Sequence, residues 1–169
     1  MDISCTEKER SILDKIAVAS ANMGVPCYVV GGFVRDKLLG RETKDIDIVC
    51  IGDGIKLAEM SARQFKPVPE VHFFKNFGTA QIKLNMQEDP FAASDIEEIE
   101  FVGARKESYS RDSRKPVVEA GSLADDQARR DFTINAMAVS LNKEDFGRLL
   151  DPFGGMEDLR NGKIGRAHV

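Results

Sequence analysis

The sequence predicts a mixed α/β fold (α+β) with a mixed sheet of about five strands flanked by helices. Three observations predict it: apolar runs of strand length, amphipathic stretches at helical spacing, and turn residues between them. The chain of 169 residues is 42% hydrophobic and 31% charged. This composition suits one globular domain with a buried core, alone or followed by a fragment of a second domain.

The helices are predicted from capping residues and from apolar spacing. Thr6-x-x-Glu9 is a capping-box pattern that begins a helix over 6–23, and Gly24 can end it. Ser122 can cap another helix. The further helices are predicted over 33–39, 55–65, 123–129 and 156–160. The apolar run 132–141 is compatible with either a helix or a strand.

The strands are predicted where apolar residues alternate with polar ones or follow one another in short runs. They cover 27–30, 45–51, 68–74, 79–84 and 96–102. A loop containing Asp89-Pro90 precedes the last of these strands, and the polar stretch 105–121 is predicted to be a loop.

Charge and residue usage exclude several classes of protein. Lys plus Arg is 24 and Asp plus Glu is 28, so the net charge of −4 does not suit a simple basic nucleic-acid-binding protein. Neither a membrane span nor a signal peptide is recognisable, so we expect a cytoplasmic protein without a membrane partner. Cys5, Cys27 and Cys50 are widely spaced and predict neither a disulfide framework nor a zinc cluster. With only His72 and His168, histidine-based catalysis would depend on His72.

A pair of aspartates in the second predicted strand is the strongest chemical signal. Alternate side chains share one face of a strand, so Asp45 and Asp47 point one way while Ile46 and Ile48 point into the core. Carboxylates at this spacing lie about 6–7 Å apart along a strand. They can bridge two magnesium ions about 3.5–4 Å apart, the arrangement used for in-line attack on a phosphate. A solvated strand face is the alternative interpretation.

A glycine pair precedes these aspartates at a strand-to-helix junction. Gly31 and Gly32 can bring backbone N–H groups close to a phosphate, and Arg35 can add a charge-assisted contact. Asp36 follows directly. A tight turn without a ligand is the alternative interpretation of the glycines alone.

Two later segments supply groups that would complete a nucleotide site. If Ile99 and Phe101 face the core, Glu98 and Glu100 share the opposite face, and either could accept a proton from an attacking hydroxyl. Arg129 and Arg130 can bind phosphates with charge-assisted hydrogen bonds. Asp131 is expected to orient an arginine or the sugar, and Asn135 to bind a ribose or a base. The alternative interpretation is that the two arginines are an ordinary basic pair on the surface and that the glutamates are exposed charges on an edge strand.

These motifs resemble the head domain of the tRNA nucleotidyltransferase (CCA-adding enzyme) and bacterial poly(A) polymerase family. The resemblance covers about residues 20–163, and its motifs appear in the same order and spacing as in that family. The matching segments are Val30-Gly31-Gly32-Phe33-Val34-Arg35-Asp36, Leu39-Gly40, Asp45-Ile46-Asp47, Phe77-Gly78-Thr79-Ala80, Arg129-Arg130-Asp131-Phe132-Thr133-Ile134-Asn135-Ala136 and Asp151-Pro152-Phe153-Gly154-Gly155-Met156-Glu157-Asp158-Leu159.

The resemblance implies a polymerase-beta-like nucleotidyltransferase fold and a class II enzyme that adds C, C and A to tRNA 3′ ends without a template. It implies that Asp45 and Asp47 bind Mg²⁺ and that Glu100 is the third carboxylate. Its other implied site residues contact CTP or ATP: Gly31, Gly32, Arg35, Asp36, Arg129, Arg130, Asp131 and Asn135. The expected partners are the tRNA 3′ end, CTP and ATP, and a homodimer is left open.

The expected domain organisation places the catalytic head at 1–150 and the beginning of a connection to a helical neck at 151–163. Residues 164–169 match a reading frame of a sequencing adapter, so we expect them to be non-native. The family's base-reading Glu-Asp-x-x-Arg element does not follow Asp158. Alternatives are a poly(A) polymerase, a split CC-adding or A-adding enzyme, and a catalytically silent nucleotide- or RNA-binding module.

Overall fold

The computed structural model describes residues 1–84, 96–108 and 117–165. Five α-helices and two short 3-10 helices lie within these residues. The α-helices are α1 (Glu7–Met23), α2 (Gly32–Leu38), α3 (Gly54–Ala62), α4 (Leu123–Ala128) and α5 (Gly155–Arg160), and the 3-10 helices are Lys75–Phe77 and Thr133–Asn135.

The described strands form one seven-stranded sheet and one separate pair. The strands are β1 (Cys27–Val30), β2 (Asp45–Cys50), β3 (Glu70–Phe74), β4 (Thr79–Lys83), β5 (Glu98–Gly103), β6 (Arg105–Ser108), β7 (Val117–Ala120), β8 (Ala138–Ser140) and β9 (Leu149–Leu150). The large sheet has the order β3-β4-β5-β2-β1-β8-β9. In this sheet β2 and β5 are parallel, whereas the other neighbouring pairs are antiparallel.

One face of the large sheet is covered by helices and forms the main core. Ile46 and Ile48 of β2 pack there with apolar residues of α1 and α3, and both isoleucines are fully buried. Ile99 and Phe101 of β5 belong to the same core, as their alternation in the sequence predicts. Because side chains alternate along a strand, the acidic residues of β2 and β5 lie on the opposite face.

That opposite face has a small apolar cluster beside its acidic region. Val30, Val49, Ala104 and Ala138 form this cluster, with Leu123 of α4 packed against it. The helices α1 and α3 therefore leave the acidic residues uncovered, and the β2–β5 pair presents them on an accessible surface.

Helix α1 confirms the sequence-based prediction closely. Thr6 caps it, and the reciprocal hydrogen bonds between Thr6 and Glu9 form a capping box. Gly24 ends the helix in a left-handed conformation at φ 68°. Buried Glu9 also forms an ion pair with Lys37 at 2.7 Å, which connects α1 to the end of α2.

The sheet is wider than the predicted five strands. The two additional members, β8 and β9, are three and two residues long. Strands this short have no recognisable alternation, so pairing with a neighbour decides their conformation. The ambiguous run 132–141 contains both a 3-10 turn (Thr133–Asn135) and β8.

The prediction of a loop over 105–121 is wrong at both ends of the segment. Strands β6 and β7 occupy these ends and pair antiparallel with each other. Backbone hydrogen bonding stabilises such a pair without requiring a long apolar run. The middle of this segment (109–116), the Asp89-Pro90 loop and residues 166–169 lie outside the described residues.

Two of the three cysteines belong to the core. Cys27 and Cys50 are fully buried free thiols, and burial raises the pKa of Cys27 to about 11 and that of Cys50 to about 12. Among the described residues, no helix is both long and apolar enough to cross a membrane.

Candidate active site

The parallel pairing of β2 with β5 brings four carboxylates onto one face of the sheet. In this register Asp45 lies opposite Glu98, and Asp47 lies opposite Glu100. Paired residues on neighbouring strands point to the same side. The structure therefore brings together the two predicted aspartates and both glutamate candidates for the third carboxylate.

The electrostatic environment of Asp47 reflects this crowding. Its pKa rises from 3.8 to about 6, chiefly because the half-buried carboxyl is desolvated and because the negative charge of Glu100 is close. Asp45 and Glu98 raise it further, whereas the positive charge of Arg130 lowers it. Glu100 therefore has the strongest charge interaction with Asp47. Glu98 lies on the same face of the sheet and is the second candidate for the third carboxylate.

The glycine pair forms the turn between β1 and α2, as predicted. Gly31 has φ 70°, a conformation that disfavours any residue with a side chain. A Cβ atom at this position would lie 3.4 Å from Nη1 of Arg130 and 3.7 Å from Oδ2 of Asp47. The Gly31 N–H donates to the Met137 carbonyl at 3.3 Å, so this amide is already engaged within the protein. Both distances are ordinary van der Waals contacts, so the backbone conformation, rather than a lack of space, favours glycine at this position.

The side chain of Arg35 is held by two partners. Its Nε donates to Asp36 at 3.0 Å, and its Nη1 donates to Oδ1 of Asn135 at 2.8 Å. Four of the predicted site residues therefore meet here, since Gly32 also lies against the guanidinium of Arg35. Asn135, which the sequence suggested as a ribose or base ligand, contacts an arginine in this structure.

Asp126 holds the two neighbouring arginines, although sequence reasoning did not select it. This carboxylate is completely buried on α4. It accepts hydrogen bonds from Arg129 Nη2 at 2.9 Å and from Arg130 Nε at 3.0 Å. The signal that could have identified Asp126 is its spacing of three and four residues from the arginines across a helix end, where such side chains meet.

Asp131 occupies a different environment from that expected. It is exposed, and no hydrogen bond or ion pair joins it to another described residue. The arginine-orienting role considered for Asp131 therefore falls to Asp126 in this structure. Contact between Asp131 and a sugar stays a prediction.

The carboxylate face fits a hard divalent cation. Oxygen ligands suit Mg²⁺, which takes a few carboxylates and completes its coordination with substrate phosphates and water. Burial and the neighbouring carboxylates raise the pKa of Asp47, and a bound cation would relieve the repulsion among these carboxylates. Among the described residues no three acidic, histidine or cysteine side chains already converge on a metal position. Asp45 and Asp47 as ligands therefore stay a prediction.

The site combines groups of opposite charge beside the interior strands β2 and β5 of the sheet. Acidic side chains of β2 and β5 lie beside guanidinium groups that hydrogen bonds hold in place. Carboxylates that suit a cation, next to arginines that suit a polyphosphate, define the kind of site found in phosphoryl- and nucleotidyl-transferring proteins.

Comparison with known proteins agrees with this class. Residues 27–165 match the family described as the poly A polymerase head domain. An A-adding tRNA nucleotidyltransferase of Aquifex aeolicus is 46% identical over 141 residues, which are 83% of this chain and 16% of that protein. This chain belongs to the poly A polymerase head domain family, and relatives of it such as the Aquifex aeolicus protein are tRNA nucleotidyltransferases, which are transferase enzymes.

Solved structures show the same fold. One is a tRNA nucleotidyltransferase complexed with a primer tRNA and an incoming ATP analog; it has a TM-score of 0.72 and 41% identity, over 90% of this chain and 39% of that one. Another, a CCA-adding enzyme with ATP, has a TM-score of 0.78 and 35% identity, over 97% of this chain and 34% of that one. The chain spans less than two fifths of the length of each of these proteins.

Proposed function

We propose that this chain is the catalytic head of a magnesium-dependent tRNA nucleotidyltransferase. The reaction adds CMP and AMP to the 3′ end of tRNA without a template and releases pyrophosphate. The main support is the β2–β5 register, which places Asp45 and Asp47 on one face with Glu98 and Glu100. The A-adding tRNA nucleotidyltransferase relative and the solved complexes with a primer tRNA and with ATP support nucleotide transfer to tRNA.

The arginines account for binding of CTP or ATP. A nucleoside triphosphate is a polyanion, and guanidinium groups bind phosphate oxygens with charge-assisted hydrogen bonds. Arg35 is oriented by Asp36 and Asn135, and Arg130 lies against the Gly31 turn beside Asp47. Their fixed positions reduce the ordering cost of holding the triphosphate next to the carboxylates.

The carboxylates account for activation of the attacking group. Asp45 and Asp47 would hold Mg²⁺, which when bound stabilises the charge of the triphosphate and lowers the pKa of the attacking hydroxyl. Glu100, or Glu98 beside it, would accept the proton of the tRNA 3′ hydroxyl. That hydroxyl oxygen forms a bond to the α-phosphorus of the nucleotide as the bond to pyrophosphate breaks.

A second candidate function is terminal A addition alone. The Aquifex aeolicus relative at 46% identity is named an A-adding enzyme, which favours this split activity over CC addition or a poly(A) polymerase. The catalytic assignments are the same in each case, because all use the same transfer to a 3′ hydroxyl.

The test uses this chain, and also the longer product of its source gene if the reading frame continues past Lys163. Each is incubated with Mg²⁺ and a tRNA that ends before, within or after its CC sequence, with CTP alone, ATP alone or both. Three added residues that require both nucleotides support CCA addition. One AMP added only after CC supports A addition, and a long tail from ATP supports a poly(A) polymerase. If the longer product binds ATP but does not extend the tRNA, the result supports a catalytically silent nucleotide-binding module.

A further inference from the structure

The fully buried carboxylate of Asp126 is the feature that the proposed reaction does not use directly. A buried charge is costly unless it is paired and hydrogen bonded. Both oxygens of Asp126 are paired, one with Arg129 Nη2 at 2.9 Å and the other with Arg130 Nε at 3.0 Å. One carboxylate therefore binds two of the three arginines of the predicted triphosphate site, Arg129 and Arg130.

The element that bears Asp126 is anchored in the fold. Ser122 and Asp125 form a capping box at the beginning of α4. Buried Gln127 donates from its amide to the carbonyl oxygens of Ala136 and Leu150, at 2.9 and 3.2 Å. The carboxylate of Asp126 is consequently fixed relative to the sheet.

The geometry shows which arginine groups are left for a ligand. Arg130 uses Nε for Asp126, and its Nη1 lies 3.5 Å from the Asn135 carbonyl and next to the Gly31 turn. Arg129 uses only one terminal nitrogen for Asp126 and is partly exposed. Two positive charges against one negative charge leave a net charge of +1 on this group, with further N–H donors available.

We propose that Asp126 is a positioning residue that orients Arg129 and Arg130 toward the phosphates of a nucleoside triphosphate. The inference rests on the proposed function, since it concerns the same site. Because the arginines act on phosphates, Asp126 determines the preference for a triphosphate over a monophosphate and leaves the contacts of the base unaffected.

The experiment measures the affinity of the chain for ATP and for AMP, in the presence of Mg²⁺, by titration calorimetry. Asp126→Asn is nearly isosteric and removes the charge that aligns both guanidinium groups. We expect it to weaken ATP binding about tenfold, the effect of losing one charge-assisted contact, with little change for AMP. Glu144→Gln is the control, because it removes an equal charge at an exposed position outside the site, and we expect it to retain ATP affinity.

A double-variant cycle separates positioning from a general effect on the fold. If Asp126 acts through Arg129 and Arg130, then Asp126→Asn combined with Arg130→Gln should lose less ATP affinity than the sum of the two single losses, because only Arg129 is left to be misplaced. Fully additive losses, or equal weakening for ATP and AMP, would overturn the inference. Should Asp126→Asn not fold, Asp126→Glu displaces the carboxylate by one methylene; we expect the same selective loss for ATP, and an unchanged ATP affinity refutes the proposal.

The failures of the two proposals are distinguishable. A wild-type chain that binds no ATP overturns the proposed function and, with it, the role of Asp126. A wild-type chain that binds ATP, with a folded Asp126→Asn that binds it equally well, overturns only the role of Asp126.

Discussion

Replacing Asp47 by asparagine should stabilise the metal-free protein, because the ionised carboxylate is unfavourable in the fold. Burial and the neighbouring carboxylates raise the pKa of Asp47 from 3.8 to about 6. A pKa unit corresponds to about 1.4 kcal/mol, so ionised Asp47 lowers the free energy of unfolding by about 3 kcal/mol. Asp47→Asn removes this charge and keeps the shape of the side chain. Near pH 7.5 the free energy of unfolding should therefore increase by up to about 3 kcal/mol.

The pH dependence of this gain follows from the direction of the pKa change. Below pH 3.8 the carboxyl is protonated in both the folded and the unfolded protein, so its ionisation carries no penalty. The penalty develops as the pH rises from there through about 6 and is then constant. Asp47→Asn should therefore exceed the wild type in stability clearly at pH 7.5 and only slightly at pH 4.

The assay is urea unfolding followed by circular dichroism, with a chelator present, at both pH values. Asp45→Asn is the control on the same face of β2, and its gain should be smaller because Asp45 is exposed to solvent. An Asp47→Asn protein no more stable than wild type at pH 7.5, or a gain independent of pH, would refute the reasoning. Added Mg²⁺ should reduce the difference in stability between Asp47→Asn and the wild type, because a bound cation relieves the repulsion among the carboxylates of the wild type.

Three further predictions concern the proposed reaction. Asp45→Ala or Asp47→Ala should abolish nucleotide transfer to tRNA in whichever form of the protein shows this activity, and more than a few per cent of wild-type activity would contradict their role as metal ligands. Arg130→Ala should mainly weaken nucleotide binding, measured as a raised Kd for ATP; an unchanged Kd would contradict it. Gly31→Ala should lower the free energy of unfolding in urea by about 1–3 kcal/mol, because φ 70° with ψ −134° strains any residue that has a side chain, and an unchanged stability would contradict it. Its Cβ would lie 3.4 Å from Arg130, which is ordinary contact, so the folded variant should retain ATP affinity. Gly40→Ala has φ 65° but open space around it, so it should show the strain without loss of ATP affinity.

Much of the fold was predictable from local sequence patterns. The capping box of α1 and the alternation in β2 depend on residues within a few positions of one another, and the structure contains both. The strand β8 lies in a run that the sequence left open between helix and strand, and β9 and the pair β6–β7 were not predicted, because pairing with neighbours stabilises such short or polar strands.

The sequence alone determined which side chains of β2 share a face, and it identified the acidic and basic groups of the candidate site. Only the tertiary structure decided how these groups meet. The register that sets Asp47 opposite Glu100 joins segments 53 positions apart, and the hydrogen bond from Arg35 to Asn135 spans 100 positions. Packing also determined the burial of the Asp126 carboxylate that holds the arginines. Whether this carboxylate is solvated or buried depends on where α4 packs against the sheet.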